Sequence, residues 1–272
     1  MSIQQDRVIV NGTTLFCERA GDGETLVLVH GGGGDRRHWD EQFPALAEHF
    51  DVIRYDLRGY GQSDNPVEGE PYRHQDDLKA LLDALGVSKA HIAGYSLGCQ
   101  VVIDAYTLYP ELFHSLIAVG PYALGHASPA CDALFGGYAQ CGEVFKKDGP
   151  KAAGEAFANI PAFNPDKIAP DAKKRVADVA GEYGWWWADH DDPLEFVSPP
   201  GVELLADINV PVLTITAEFD AAVCLEVADL LEQQVPQNTR VDIPGATHFM
   251  LLEKPDAFNK AVSDFVTRVG RA

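Results

Sequence analysis

Three kinds of side chain in this sequence could together cleave an acyl bond: an alcohol, an imidazole and a carboxylate. The alcohol is Ser96, in Gly94-Tyr95-Ser96-Leu97-Gly98. An apolar run leads up to it, and a helical pattern follows. A serine on a sharp strand-to-helix turn projects above the rim of a sheet, and glycines on both sides remove side chains that would strike neighbouring backbone. The N-terminus of the following helix adds unpaired N–H groups and the positive end of a dipole, both suited to a developing anion.

A serine hydroxyl is a weak nucleophile at neutral pH, so it needs a base, and the base needs an acid to orient it. Of the nine histidines, His248 in PGATHFMLLEKP follows the last apolar run, where a base could reach back over the sheet. His49, His74, His91 and His114 sit at element ends, as exposed histidines do. His30 closes the third run, and Gly31–Gly34 follow it. Four glycines suit close approach of backbone to a substrate; a phosphate cradle would need a Gly-Lys-Ser/Thr continuation, which is missing. For the acid, Asp220 in ITAEFDAAV lies just beyond the seventh run, with Glu218 as a nearby competitor. Asp242 falls inside the eighth run and reads as a solvated strand residue.

These residues need a scaffold. Eight β-branched or apolar runs are bounded by turn residues: 7–10, 14–20, 25–31, 51–57, 90–96, 115–121, 211–217 and 239–245. Asn11-Gly12 predicts a hairpin between the first two. The third, fifth, sixth and seventh are nearly continuous apolar runs, as strands buried on both faces of a parallel sheet should be. Helical patterns at 76–86, 100–110, 223–235 and 255–269 alternate with the strands. The pattern predicts an α/β fold: an eight-stranded, mostly parallel sheet with helices on both faces. From 122 to 207 no strand pattern occurs, which is too long for an ordinary connection. We read 1–121 with 208–272 as the core and 122–207 as an inserted helical cap.

Four segments, in order, resemble the α/β-hydrolase fold superfamily: LVHGGGGDRRHW, DLRGYGQSD, GYSLG and PGATHFMLLEKPDAFN. The resemblance covers nearly the whole chain. It is closest to the capped group of small-molecule esterases, enol-lactone hydrolases and carbon–carbon bond hydrolases. It implies a triad of Ser96, Asp220 and His248, in the chain order that superfamily uses. It also implies an oxyanion hole formed by the N–H groups of Leu97 and Gly32, with Gly33 as rival. No cofactor is implied. Trp39, Tyr95 and Trp186 are candidates to touch substrate, one of the three consecutive tryptophans 185–187 having to face differently from its neighbours. The expected reaction is hydrolysis of a small ester or lactone through an acyl-enzyme. The alternatives are cleavage of a carbon–carbon bond beside a ketone, and a slow-turnover receptor on the same fold.

Bulk properties narrow the partners. The 272 residues carry 41 acids against 21 bases, a formal net charge of −20. Such a field repels nucleic acid and anionic lipid, so the expected partner is a small molecule; oligomeric state is not legible. Five scattered cysteines without a CxxC pair predict neither a disulfide framework nor a zinc site, and fit a reducing cytoplasm. The N-terminus lacks a signal-peptide pattern, and no apolar run reaches membrane-spanning length. In ADHDDP (188–193) one histidine among three aspartates is a thin ligand set, so no metal is expected. Arg36-Arg37 read as surface residues, and Cys99 as a small packed residue.

Overall fold

The computed structural model describes residues 2–270. Strands β1 (Gln4–Val10) and β2 (Thr13–Ala20) pair antiparallel across the Asn11-Gly12 turn. Both turn residues have positive φ, 46° and 73°, the backbone that a two-residue type I′ hairpin requires and Asn-Gly tolerates. The remaining strands are β3 (Thr25–Val29), β4 (Asp51–Tyr55), β5 (Ala90–Tyr95), β6 (Phe113–Val119), β7 (Val212–Phe219) and β8 (Asn238–Thr247). The sheet order is β1-β2-β4-β3-β5-β6-β7-β8. Only β2 runs against its neighbours; β3 to β8 are parallel.

The period-2 alternation of a strand divides the apolar runs between two cores. Val27, Ile92 and Leu116 face helices His74–Ala84, Leu97–Leu108 and Ala222–Gln234. Leu28, Ala93 and Ile117 face Trp39, Phe43 and helix Pro255–Val269 on the other side. Both faces are therefore dry, which is why these strands read as unbroken apolar runs. Helix Leu97–Leu108 starts three residues earlier than its sequence pattern suggests, immediately after Ser96.

Between β6 and β7 the chain is helical, with segments Pro129–Asp148, Pro150–Phe157 and Pro170–Glu182 and a short turn Pro161–Phe163. Its apolar cluster is not self-contained: Leu134, Phe157 and Phe163 share it with Ala221, Val223 and Phe249, which follow β7 and β8. Ion pairs Arg37–Glu182 and Arg175–Asp40 fasten its outer side. The excursion thus sits over the C-terminal ends of the strands.

The arginine pair departs from expectation. Arg36 is buried, pairs with Asp56 at 2.8 Å and Glu18 at 3.3 Å, and stacks on the Phe16 ring. Arg54 completes the group, also bound to Glu18 at 2.7 Å. Asp56 accepts from the Arg36 N–H and from the Gln62 N–H, both at 2.9 Å. The Asp-x-Arg-Gly segment after β4 is therefore a brace: it ties the end of β4 to the loop that leaves β3.

Candidate active site

Ser96 follows β5 and precedes helix Leu97–Leu108, with φ 53° and ψ −112°. A non-glycine residue there is strained, at a cost of order 1–3 kcal/mol. The glycines of the pentapeptide are required by crowding. A Cβ on Gly94 would lie 2.3 Å from the Gly98 carbonyl oxygen, and one on Gly98 would lie 2.3 Å from that of Val29. Backbone thus packs on backbone beneath the turn, and the serine is pushed outward. Leu97 opens the helix, so its N–H has no partner within the helix.

Two histidines hold the glycine loop after β3. The Leu57 N–H donates to His30 Nε2 at 3.0 Å, so the ring proton sits on Nδ1 and is donated to the Gly31 carbonyl at 2.8 Å. The Gly31 N–H in turn donates to His38 Nδ1 at 3.3 Å. Burial keeps both rings neutral: it lowers the His30 pKa, and it takes that of His38 to about 3. Nothing in the sequence pattern singled out His38; its role comes from a 3-10 turn, Arg36–Trp39, that folds it back onto the loop. A Cβ on Gly32 would meet the Tyr138 hydroxyl at 3.0 Å, which places that hydroxyl directly above the loop.

Asp220 and His248 meet over the sheet rim. His248 Nδ1 donates to Asp220 Oδ1 at 2.7 Å, and both side chains are buried. The carboxylate is fixed by two more donors, the Ala221 N–H at 2.8 Å and the Ala217 N–H at 3.2 Å. The histidine backbone is fixed as well. Its carbonyl accepts from the Tyr95 hydroxyl at 3.0 Å, while Glu253 takes the Thr247 N–H and hydroxyl at 2.8 and 2.7 Å. The imidazole lies between two aromatic faces, Tyr95 at 5.1 Å and Phe163 at 4.9 Å and 3°. The bonds formed by the ring are those to Asp220 and a 3.7 Å contact with the Cys224 thiol. Ser96 and His248 share no hydrogen bond in this structure; bonds between a catalytic base and its nucleophile are often long without substrate. Burial and nearby Asp220 hold the Cys224 thiol protonated.

Glu218 is not part of this cluster; it accepts from the Gly245 N–H at 2.9 Å. Asp242 is exposed and bonded to Arg240. In ADHDDP, His190 stacks on Trp186 and bonds to its carbonyl. The ligand atoms of Asp220, Cys224 and His248 form the one three-residue cluster of metal-ligating type among the described residues. Its imidazole Nδ1 is committed to Asp220, and its thiol stays protonated.

A cavity of about 440 Å³ opens above Ser96 and Leu97, bounded by Gly32, Tyr60, Tyr138 and Trp187. None of the three residues expected to touch substrate lines this cavity itself. Trp39 is fully buried in the core under Tyr95 and Phe258. The Tyr95 ring lies beneath His248, so it supports the imidazole from the protein side. Trp186 stacks on His190 and lines a small chamber beside the cavity, while its neighbour Trp187 lines both. The reason is local: Trp185 takes a left-handed φ of 48°, which turns successive tryptophans in different directions.

Comparison with known proteins agrees with this fold. A model of the alpha/beta hydrolase fold matches residues 24–142. The putative carbamate hydrolase RutD of Azorhizobium caulinodans is 29% identical over 259 residues, covering 92% of this chain and 94% of that protein. The 2-(acetamidomethylene)succinate hydrolase of Mesorhizobium japonicum is 27% identical, with 96% and 94% covered. Among solved structures, the enol-lactonase of Burkholderia xenovorans LB400 superposes with a TM-score of 0.77 at 25% identity, covering 96% of this chain and 100% of that one. The sheet order, the elbow and these likenesses together show that the chain has the α/β-hydrolase fold.

Proposed function

We propose that this protein is a serine hydrolase that cleaves a small carboxylic ester or lactone through an acyl-enzyme. The observation that carries the reading is the buried 2.7 Å His248–Asp220 bond, found together with a cavity floored by the strained Ser96 turn. With its proton on Nδ1, His248 offers the Nε2 lone pair to the Ser96 hydroxyl. The serine oxygen attacks the substrate carbonyl carbon, and the proton moves to Nε2. The resulting oxyanion is held by the N–H groups of Leu97 and Gly32. His248 then gives its proton to the leaving oxygen, and the acyl group stays on Ser96. Water replaces the leaving group, His248 takes its proton, and collapse releases the acid and restores the serine. Asp220 keeps the tautomer and stabilises the imidazolium. Five buried free cysteines are in keeping with a reducing cytoplasm.

The direct test is acid-quenched mass spectrometry during turnover of a chromogenic short-acyl ester. An acyl mass on the peptide that contains Ser96 is expected. Turnover without that label would overturn the reading, as would cleavage of a dienoic diketone in place of every ester.

The sandwiched imidazole gives the excursion a part in the chemistry. Phe163 is outside the cavity lining, yet it covers the face of His248 that Tyr95 leaves open. As a positioning residue it should act on turnover and leave binding alone. Phe163→Leu is expected to lower kcat by about threefold to tenfold, the range of one aromatic contact, with KM nearly unchanged. Phe163→Tyr should restore the rate. Steady-state kinetics on one ester separate this from a loosened substrate pocket, which would raise KM.

A further inference from the structure

We infer that the substrate of this site carries no anionic group of its own: it is an uncharged ester or lactone with an aryl or alkyl body. The inference rests on the hydrolytic reading above and refines it.

The cavity has the size typical of sites that bury small molecules, about 300–1,000 Å³. Its walls are aromatic and aliphatic: Tyr60, Tyr122, Leu134, Tyr138 and Trp187. Two phenylalanines flank it while remaining open to solvent, Phe135 at 47% and Phe196 at 58% exposure. Exposed aromatics at a cavity commonly mark a place where apolar surface is taken up. The phenols inside are neutral. Burial pushes the phenols of Tyr60 and Tyr122 up to about 12 and that of Tyr138 further, so all three remain uncharged hydrogen-bonding groups.

No lysine or arginine is among the described residues lining the cavity, and its single charged side chain is an acid, Asp192. The adjoining small chamber does hold a cation, Arg58, but it is already matched. Asp77 takes its Nε at 2.9 Å and its Nη2 at 2.8 Å, and the guanidinium lies over the Tyr72 ring. Arg36, beneath the glycine loop, is bound to Asp56 and Glu18 in the same way. A carboxylate entering the cavity would lose hydration, gain no cationic partner and approach Asp192. A methyl group in its place has no charge to desolvate and would pack against the aromatic and aliphatic side chains.

The test compares two esters with the same leaving group and the same acyl length: 4-nitrophenyl pentanoate and mono-4-nitrophenyl glutarate. They differ only in whether the acyl chain ends in a methyl or a carboxylate. For the native protein kcat/KM should favour pentanoate by about 30-fold or more, the scale of burying one unpaired charge. Phe135→Lys, which sets a cation at the exposed mouth, should narrow the gap about tenfold, and Asp192→Asn should narrow it by a smaller factor. A native gap below 30-fold, or a gap that neither substitution narrows, overturns the inference while leaving the hydrolytic reading intact. Failure to turn over either ester through Ser96 overturns both.

Discussion

Ser96→Ala is expected to lower kcat toward an activated ester by about 10⁶-fold, the cost of removing a nucleophile whose partners cannot act without it. In the proposed mechanism the serine oxygen takes the acyl group, and no second nucleophile is placed to replace it. Cys99 is fully buried in the helix behind the turn, and Cys224 stands beside His248 with its thiol held protonated. The fold should survive, since alanine removes only the hydroxyl. Stability carries a second readout of the same residue. With φ at 53°, position 96 strains any residue with a Cβ, so Ser96→Gly should be inactive and melt above Ser96→Ala. Calorimetry on the two inactive variants checks this. Equal melting points would mean that the turn relaxes when the hydroxyl is gone.

Asp220→Asn should cost about 10⁴-fold in kcat with KM changed little. The hydrogen-bond pattern explains so large a loss from one atom. Both oxygens of Asp220 accept backbone N–H groups, from Ala221 and Ala217, while Oδ1 also takes the proton of His248. An asparagine has one acceptor oxygen to divide among these donors. If its NH₂ faces His248, the imidazole is driven to the tautomer that protonates Nε2, and the base is lost. If the NH₂ turns the other way, it opposes the Ala217 N–H. Stopped-flow kinetics at saturating ester measure the effect; a loss below about tenfold would show that the carboxylate does not set the tautomer.

The fold and much of the candidate site's geometry were legible because their signals are local. Asn11-Gly12 announces its turn by backbone preference alone. The elbow glycines are readable because their reason, backbone packed on backbone, leaves no alternative residue. His248 and Asp220 were legible from their places just beyond apolar runs, which a parallel sheet must end at one rim. Contact roles were harder. Trp39 looked suited to substrate because it follows the glycine loop, but the 3-10 turn at Arg36–Trp39 rotates it into the core and brings His38 to the loop. Arg36 looked like surface on an acidic protein; its partners, Glu18 and Asp56, come from other strands or strand ends.

The amino-acid order by itself determined the alternation of strands and helices, the tight turns and the chain positions of the reactive groups. Each of these follows from backbone sterics and hydrophobic period over a few neighbouring residues. Only the tertiary structure decided what surrounds those groups. It placed Phe163 from the excursion against His248, put Trp187 in the cavity and Trp186 in the chamber beside it, and lined that cavity mainly with aromatic rings and one acid. Such contacts join residues far apart along the chain, and their identity depends on how helices pack and turn over the sheet, which no local pattern encodes.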